Sequence, residues 1–136
     1  MLQSTKFVRI PKDIGYVLNL DNPRNIKMLQ YRFKDDAIIY GIRCQINNMI
    51  YIGSTMTPRL RFHKHLVTGE SSNANLQDAI KEFGLGKFTV HIFEKVDLPF
   101  DTSYNEKQVI LHKVEQSYLN RFPKRQKYNS INSLAE

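Results

Sequence analysis

A single cysteine, Cys44, leaves this chain unable to form an internal disulfide or a zinc site built from several cysteines. Its simplest role is that of a small strand residue. No apolar run approaches the roughly 20 residues that a membrane-spanning helix needs, and Met1-Leu2-Gln3 does not begin a signal peptide. The chain is therefore expected to act inside a cell, an organelle or a phage or virus factory, without secretion and away from membranes. Internal repeats and low-complexity tracts are missing too. Acid is the scarcer charge, with 13 Asp and Glu against 20 Lys and Arg, a net charge of +7 and a pI near 9.6. Such a field favours nucleic acid or an anionic surface over an acidic protein partner. What is present suffices for one small domain: 136 residues, 41% of them hydrophobic, with eight Phe and seven Tyr to fill a core.

The first 36 residues carry Pro11, Gly15, Pro23 and scattered charges that interrupt every period. They read as an extension packed partly on the domain. From Ala37 the pattern sharpens. Residues 37–44 are continuously apolar or β-branched, Asn47-Asn48 marks a turn, and Met49–Ile52 is a second short strand closed by Gly53. Thr57-Pro58 then starts a helix, with a hydroxyl N-cap and proline where its missing N–H does no harm, and Thr68-Gly69 ends it. Leu76, Ala79, Ile80 and Phe83 form the apolar stripe of a second helix stopped by Gly84. Residues 87–96 alternate as a third strand, and Ser103-x-x-Glu106 is a capping box opening a long third helix to about Arg121. The fold class is thus α/β (α+β): a central three-stranded, mainly antiparallel sheet flanked by helices, in the order β-β-α-α-β-α.

Two tyrosines end the first two strands, Tyr40 and Tyr51, eleven positions apart, so the hairpin carries both phenols close together. Arg61 and His65 follow, four apart on the first helix and hence on one face of it. This order of groups and its spacing resemble the GIY-YIG nuclease family across residues 37–132. Tyr51-Ile52-Gly53 is the second half of the family name. Ile38-Ile39-Tyr40 matches the first half, with Ile38 in place of its glycine. The family's arginine, ten positions past the second tyrosine, is Arg61, and its histidine is His65. Its late-helix Leu-x-x-x-Glu fits Leu111 to Glu115, and its terminal asparagine fits Tyr128-Asn129. The short spacings are most similar to the phage and organellar intron-encoded homing endonucleases.

The resemblance implies a metal-dependent DNA endonuclease with Tyr40, Tyr51, Arg61, His65, Glu115 and Asn129 at its site. Phosphodiester hydrolysis needs an activated water, stabilisation of charge on the non-bridging oxygens and help for the leaving alkoxide. Glu115 suits Mg²⁺ or Mn²⁺, hard ions that accept few protein ligands and keep several waters. The planar, permanently charged fork of Arg61 suits phosphate oxygens. The resemblance favours Tyr40 as base or water-orienting group and Tyr51 as holder of the water or phosphate, without deciding between them, and gives Asn129 the orientation of Glu115 or of backbone. Gly53, Ser54, Arg59, Lys64 and the basic run Lys124, Arg125 and Lys127 are expected DNA contacts. Homing enzymes of this kind usually append a DNA-reading domain. Here residues 1–36 and the basic run are the candidates for extra grip, and a homodimer is one route to cutting both strands.

Plainer readings compete at each position. Tyrosines fit any half-buried strand face, and Arg61 and His65 beside Arg59 and Lys64 also read as a solvated helix face. His63 points away from His65. Glu115 pairs equally well on paper with Lys113 or Arg121, His112 reads as a surface residue before it reads as a second ligand, Glu94 is the rival carboxylate, and Asn132 the rival to Asn129. At the level of the whole chain, the alternatives are a non-catalytic nucleic-acid-binding module, to which Ile38 lends weight, and a partner-docking domain.

Overall fold

Apart from Arg43 near its end, Ile38–Cys44 is apolar on both of its faces, and a strand of that kind is stable only at the centre of a sheet with layers on both sides. In the computed structural model, which describes residues 8–130, this run is β2. It is paired antiparallel with β3 (Ile50–Thr55) on one side and β4 (Phe88–Lys95) on the other. The hairpin turn is the expected one. Asn48 adopts a positive φ of 60°, a conformation Asn tolerates better than most residues, and the Asn47 side chain accepts a hydrogen bond from Met49 N at 3.0 Å. β3 runs on through Gly53 to Thr55, three residues beyond the expected end.

The helices follow the sequence signals with two adjustments. α2 (Pro58–His63) begins at Pro58, but the Thr57 hydroxyl makes no capping bond; Thr55 Oγ1 accepts from Thr57 N instead, at 2.9 Å. Beyond His63 the helix widens into one π-helical turn, Lys64–Thr68, and Gly69 stops it at φ 75°. α3 (Ala74–Phe83) and α4 (Tyr104–Leu119) are capped by Asn73 and Ser103, whose side chains accept from Leu76 N and Glu106 N. After α4 the chain makes two short 3₁₀ turns, Lys124–Gln126 and Tyr128–Ser130, that run beside β3.

The extension is where structure and expectation differ. Residues 15–17 form a strand, β1, antiparallel to β4, so the sheet has four strands in the order β1-β4-β2-β3. Residues 23–32 form a helix, α1, capped by Asn22 and started by Pro23. Neither element announces itself by period, because each is short and its apolar residues are few. Burial supplies the missing stability. Leu29 is completely buried in the same apolar layer as Ile38, Tyr40, Ile42, Phe62, Leu76 and Val90, on one face of the sheet. On the other face, Ile39, Ile50, Ile52 and Phe93 pack with Leu111, Tyr118 and Phe122 of the α4 region. Asn132 and the tail 133–136 lie outside the described residues.

Because α1 shares a core with the β2–β3 hairpin, Leu29→Ala should lower the unfolding free energy of the whole domain by about 2–4 kcal/mol, the usual cost of such a cavity. Urea titration followed by tyrosine fluorescence should show one shifted transition. A separate early transition, with the main midpoint unmoved, would show that α1 is an independent appendage.

Candidate active site

The hairpin register determines which groups meet. Tyr40 lies opposite Gly53 and Ile42 opposite Tyr51, so the two tyrosines are diagonal neighbours on one face, their ring centroids 6.3 Å apart. The Tyr40 ring crosses directly over Gly53: a Cβ built there would come within 2.5 Å of the Tyr40 hydroxyl. Gly53, expected to touch DNA, is buried and serves to make room for this phenol. A bulge also falls here. β2 residues 39 and 40 face Glu94 and Ile92, which leaves Phe93 unpaired on β4 and turns the strand just where Tyr40 must point.

Beyond Gly53 the Tyr40 hydroxyl meets His65 Nε2 at 2.7 Å, and the other ring nitrogen of His65 meets Ser72 Oγ at 2.7 Å. Gln77 Nε2 donates to that same Ser72 oxygen and to the His65 carbonyl, at 2.8 and 2.9 Å. His65 is thereby held at both nitrogens and at its backbone. Burial, and then the nearby charge of Arg61, push the His65 imidazole down to about 3, so it is neutral at ordinary pH. Burial, and then the neighbouring Tyr51, raise the Tyr40 phenol well above its usual range, against the opposing charge of Arg61. Tyr40 and His65 therefore meet as two neutral partners. The sequence reading gave neither Ser72 nor Gln77 a role at the site. The Ser-Ser-Asn run that holds Ser72 signals a helix cap as readily as a histidine clamp, and Gln77 lies within α3, where glutamine is an ordinary helix residue.

In front of this pair lies the open part of the site. Tyr51, Arg61 and Glu115 line a hollow of about 330 Å³ together with Asn129 and residues 71–73, and the same three line an adjoining hollow of about 320 Å³ reaching Ser54 and His112. Both are solvent-reachable and lie along β3, the edge strand of the sheet. Arg61 Nη1 donates to Ser71 O at 2.9 Å, which aims the guanidinium across the hollow. Glu115 comes from α4 on the far face of the sheet, and Ser54 Oγ donates to its Oε1. Asn129 pairs with β3 as a strand would, accepting from Ile52 N at 2.9 Å and donating to Ile52 O at 2.7 Å. It orients backbone, and the carboxylate of Glu115 is held by Ser54.

The remaining candidates separate cleanly. Tyr40, Tyr51, Arg61, His65, Glu115 and Asn129 converge on one place, and Ser54 joins them. Tyr40 has no exposed surface, so Tyr51 is the phenol that faces the hollow. Glu94 is engaged elsewhere, accepting from the Tyr118 hydroxyl at 2.8 Å. Lys127 donates to Leu119 O at 2.8 Å in the last turn of α4, where a cation complements the helix dipole, and so it is a helix cap before it is a phosphate contact. Lys124 and Arg125 are exposed, Lys64 is half-buried on the π turn, and Arg59 and His63 are exposed on the side of α2 away from the hollow. Ile38 is fully buried in the core and lines neither hollow.

A carboxylate and a permanent cation that line the same open hollows on a basic α/β domain are groups that phosphodiester hydrolysis can use. Comparison with known proteins gives the family. Residues 36–129 match the family model described as the GIY-YIG catalytic domain, and the chain belongs to that family. A curated relative, "Probable intron-encoded endonuclease 1" of Neurospora crassa, is 36% identical over 116 residues, 82% of this chain. The chain spans 36% of that relative's length. No solved structure matches.

Two expectations test this geometry. Gly53→Ala forces the Tyr40 ring off its position. It should cost about 1–3 kcal/mol of stability and abolish the Tyr40–His65 contact, visible as a shifted His65 imidazole resonance in NMR; an unmoved resonance would show that the strands absorb the methyl. The unfolded chain binds a proton on His65 below its ordinary 6.5, while the folded chain rejects it down to about 3. Stability should therefore fall as pH drops through that window, by up to about 1.4 kcal/mol per unit. His65→Gln should flatten the slope of urea midpoint against pH between 6.5 and 4.5, leaving the share due to His91, which burial also lowers. An identical slope in wild type and variant would contradict the assignment.

Proposed function

We propose that this chain is a divalent-metal-dependent DNA endonuclease that hydrolyses one phosphodiester bond at a time in the hollow bounded by Tyr51, Arg61 and Glu115. The observation that supports this best is the convergence of those three groups, from β3, α2 and α4, on one open space with the Tyr40–His65 pair behind it. Binding alone has no use for a carboxylate held inside a phosphate-binding hollow, where it repels the ligand.

The donors present fit a hard ion. Glu115 offers one carboxylate with a hydroxyl, Ser54, beside it, and the described residues contain no cluster of three or more His, Cys, Asp and Glu side chains. Such a site suits Mg²⁺ or Mn²⁺, which retain most of their water shell. GIY-YIG nucleases are generally dependent on a divalent metal. When bound, the ion supplies charge neutralisation at the scissile phosphate and at the leaving oxygen.

The protein's own groups divide the other tasks. Arg61, fixed through Ser71, binds a non-bridging oxygen and stabilises the charge that grows there in the transition state. Tyr51, the phenol in reach of solvent, orients the attacking water and, once its own proton has left to solvent beside the Arg61 guanidinium, receives the water's proton as the phenolate. Tyr40 positions Tyr51 and Arg61 from below, and the neutral His65, clamped by Ser72 and Gln77, holds the Tyr40 hydroxyl in place. Asn129 keeps the free edge of β3 satisfied so that Tyr51 and Ser54 stay aligned. The rival reading, a binding module that has lost turnover, drew on Ile38; its burial in the core takes that residue out of the site altogether.

Purified protein with Mg²⁺ or Mn²⁺ should convert supercoiled plasmid first to open circles, because one hollow cuts one strand. Arg61→Ala and Glu115→Gln should each reduce nicking by about 10²-fold or more. Their dissociation constants for a duplex measured in EDTA should stay within a few-fold of wild type. Equal nicking by all three proteins would remove the catalytic assignment.

A further inference from the structure

A hollow of about 560 Å³ lies outside the site described above, in a groove between α1 and α2. Its basic lining comes from both helices: Lys27 and Lys34 from α1 and the residues just beyond it, Arg59 and His63 from α2. No Asp or Glu occurs from Asn22 to Lys34 or from Tyr51 to Gly69, so neither wall carries acid of its own. The groove is also built. Gln30 Nε2 donates to Arg59 O at 3.1 Å across it, and the Arg59 guanidinium lies over the Tyr31 ring at 5.2 Å. That contact holds Arg59 in place and covers a face of the one tyrosine ring in the groove, which disfavours base stacking there and favours backbone phosphates as the ligand.

The groove and the catalytic hollow share a wall. Thr57 lines both, and α2 sends Arg61 into the hollow while Arg59 and His63 face the groove. Arg59 and Arg61 stand on one short helix, with the groove on one side of it and the hollow on the other. α1 lies outside residues 36–129, the segment that matches the family.

We propose that this groove is a second DNA-binding site, in which Lys27, Lys34 and Arg59 hold phosphates of the duplex flanking the cleaved bond. The proposal rests on the reading of the substrate as DNA and deepens it: residues 23–34 are part of the substrate-binding surface. A concave groove set wall to wall with a phosphodiester site fits a polyanionic strand better than it fits a flat lipid surface.

The test measures binding of a fluorescein-labelled 30-base-pair duplex in EDTA, by anisotropy, over a range of salt. Lys27→Gln with Lys34→Gln should bind about five- to tenfold more weakly at low salt, and its salt slope should drop by about 1 per lysine removed. Lys12→Gln with Lys81→Gln, which removes the same charge outside the hollows described, should change affinity less than twofold. Urea midpoints of both double variants should match wild type, since all four lysines are exposed. Equal weakening in both double variants would overturn the proposal, as would wild-type affinity in the groove variant. If wild type nicks plasmid while the groove variant binds normally, only the groove assignment fails. If wild type neither binds nor nicks DNA, the functional reading fails with it. Preference for anionic vesicles over duplex, lost in the groove variant, would replace DNA with a membrane surface.

Discussion

The passage of the Tyr40 ring over Gly53 is the contact on which the site is built. A glycine is required on β3 because the phenol occupies the space a side chain would need. Only with that space open does the Tyr40 hydroxyl reach His65, one helix away. The two residues belong to elements that form separately, a hairpin and a helix, and their 2.7 Å contact joins them. Since both partners are buried and neutral, the hydrogen bond orients without charge, and its strength does not depend on salt.

The second constraint is the free edge of β3. An unpaired edge exposes backbone donors and acceptors that invite another strand. Here Asn129 takes both groups of Ile52, and the segment around Lys127 runs alongside Ile50. The edge is thereby closed to strands yet left open to solvent further along, where Tyr51 and Ser54 emerge. This is also where groups from opposite faces of the sheet can meet: Arg61 comes round from the helical layer of α2, and Glu115 from α4. A site in the middle of the sheet would have kept them apart by the thickness of the strand layer.

The regular part of the fold was legible because its signals are local. The β-branched run, the Asn-Asn turn, Thr57-Pro58, the apolar stripe of α3 and the capping box of α4 each carry their meaning within a few residues. β1 and α1 were not legible, since a three-residue strand and a helix with two buried apolar residues are stabilised by what they pack against. The site divides in the same way. The spacing of Tyr40, Tyr51, Arg61 and His65 follows from hairpin and helix geometry. The support from Ser72, Gln77 and Ser54, and the use of Lys127 as a helix cap, depend on how segments far apart in the chain are folded together.

From its residues alone, this chain determined an antiparallel hairpin with two phenols on one face, a helix bearing an arginine and a histidine one turn apart, and a surface that attracts polyanions. These follow from strand and helix periods and from charge, which act over short range or require no geometry. The tertiary structure decided which phenol faces solvent, why glycine stands opposite the other, which oxygen steadies Glu115, and that an unpromising N-terminal stretch completes the sheet and walls a basic groove. Each of those depends on side chains meeting in three dimensions, where burial and steric exclusion select among partners that are all equally available in the sequence.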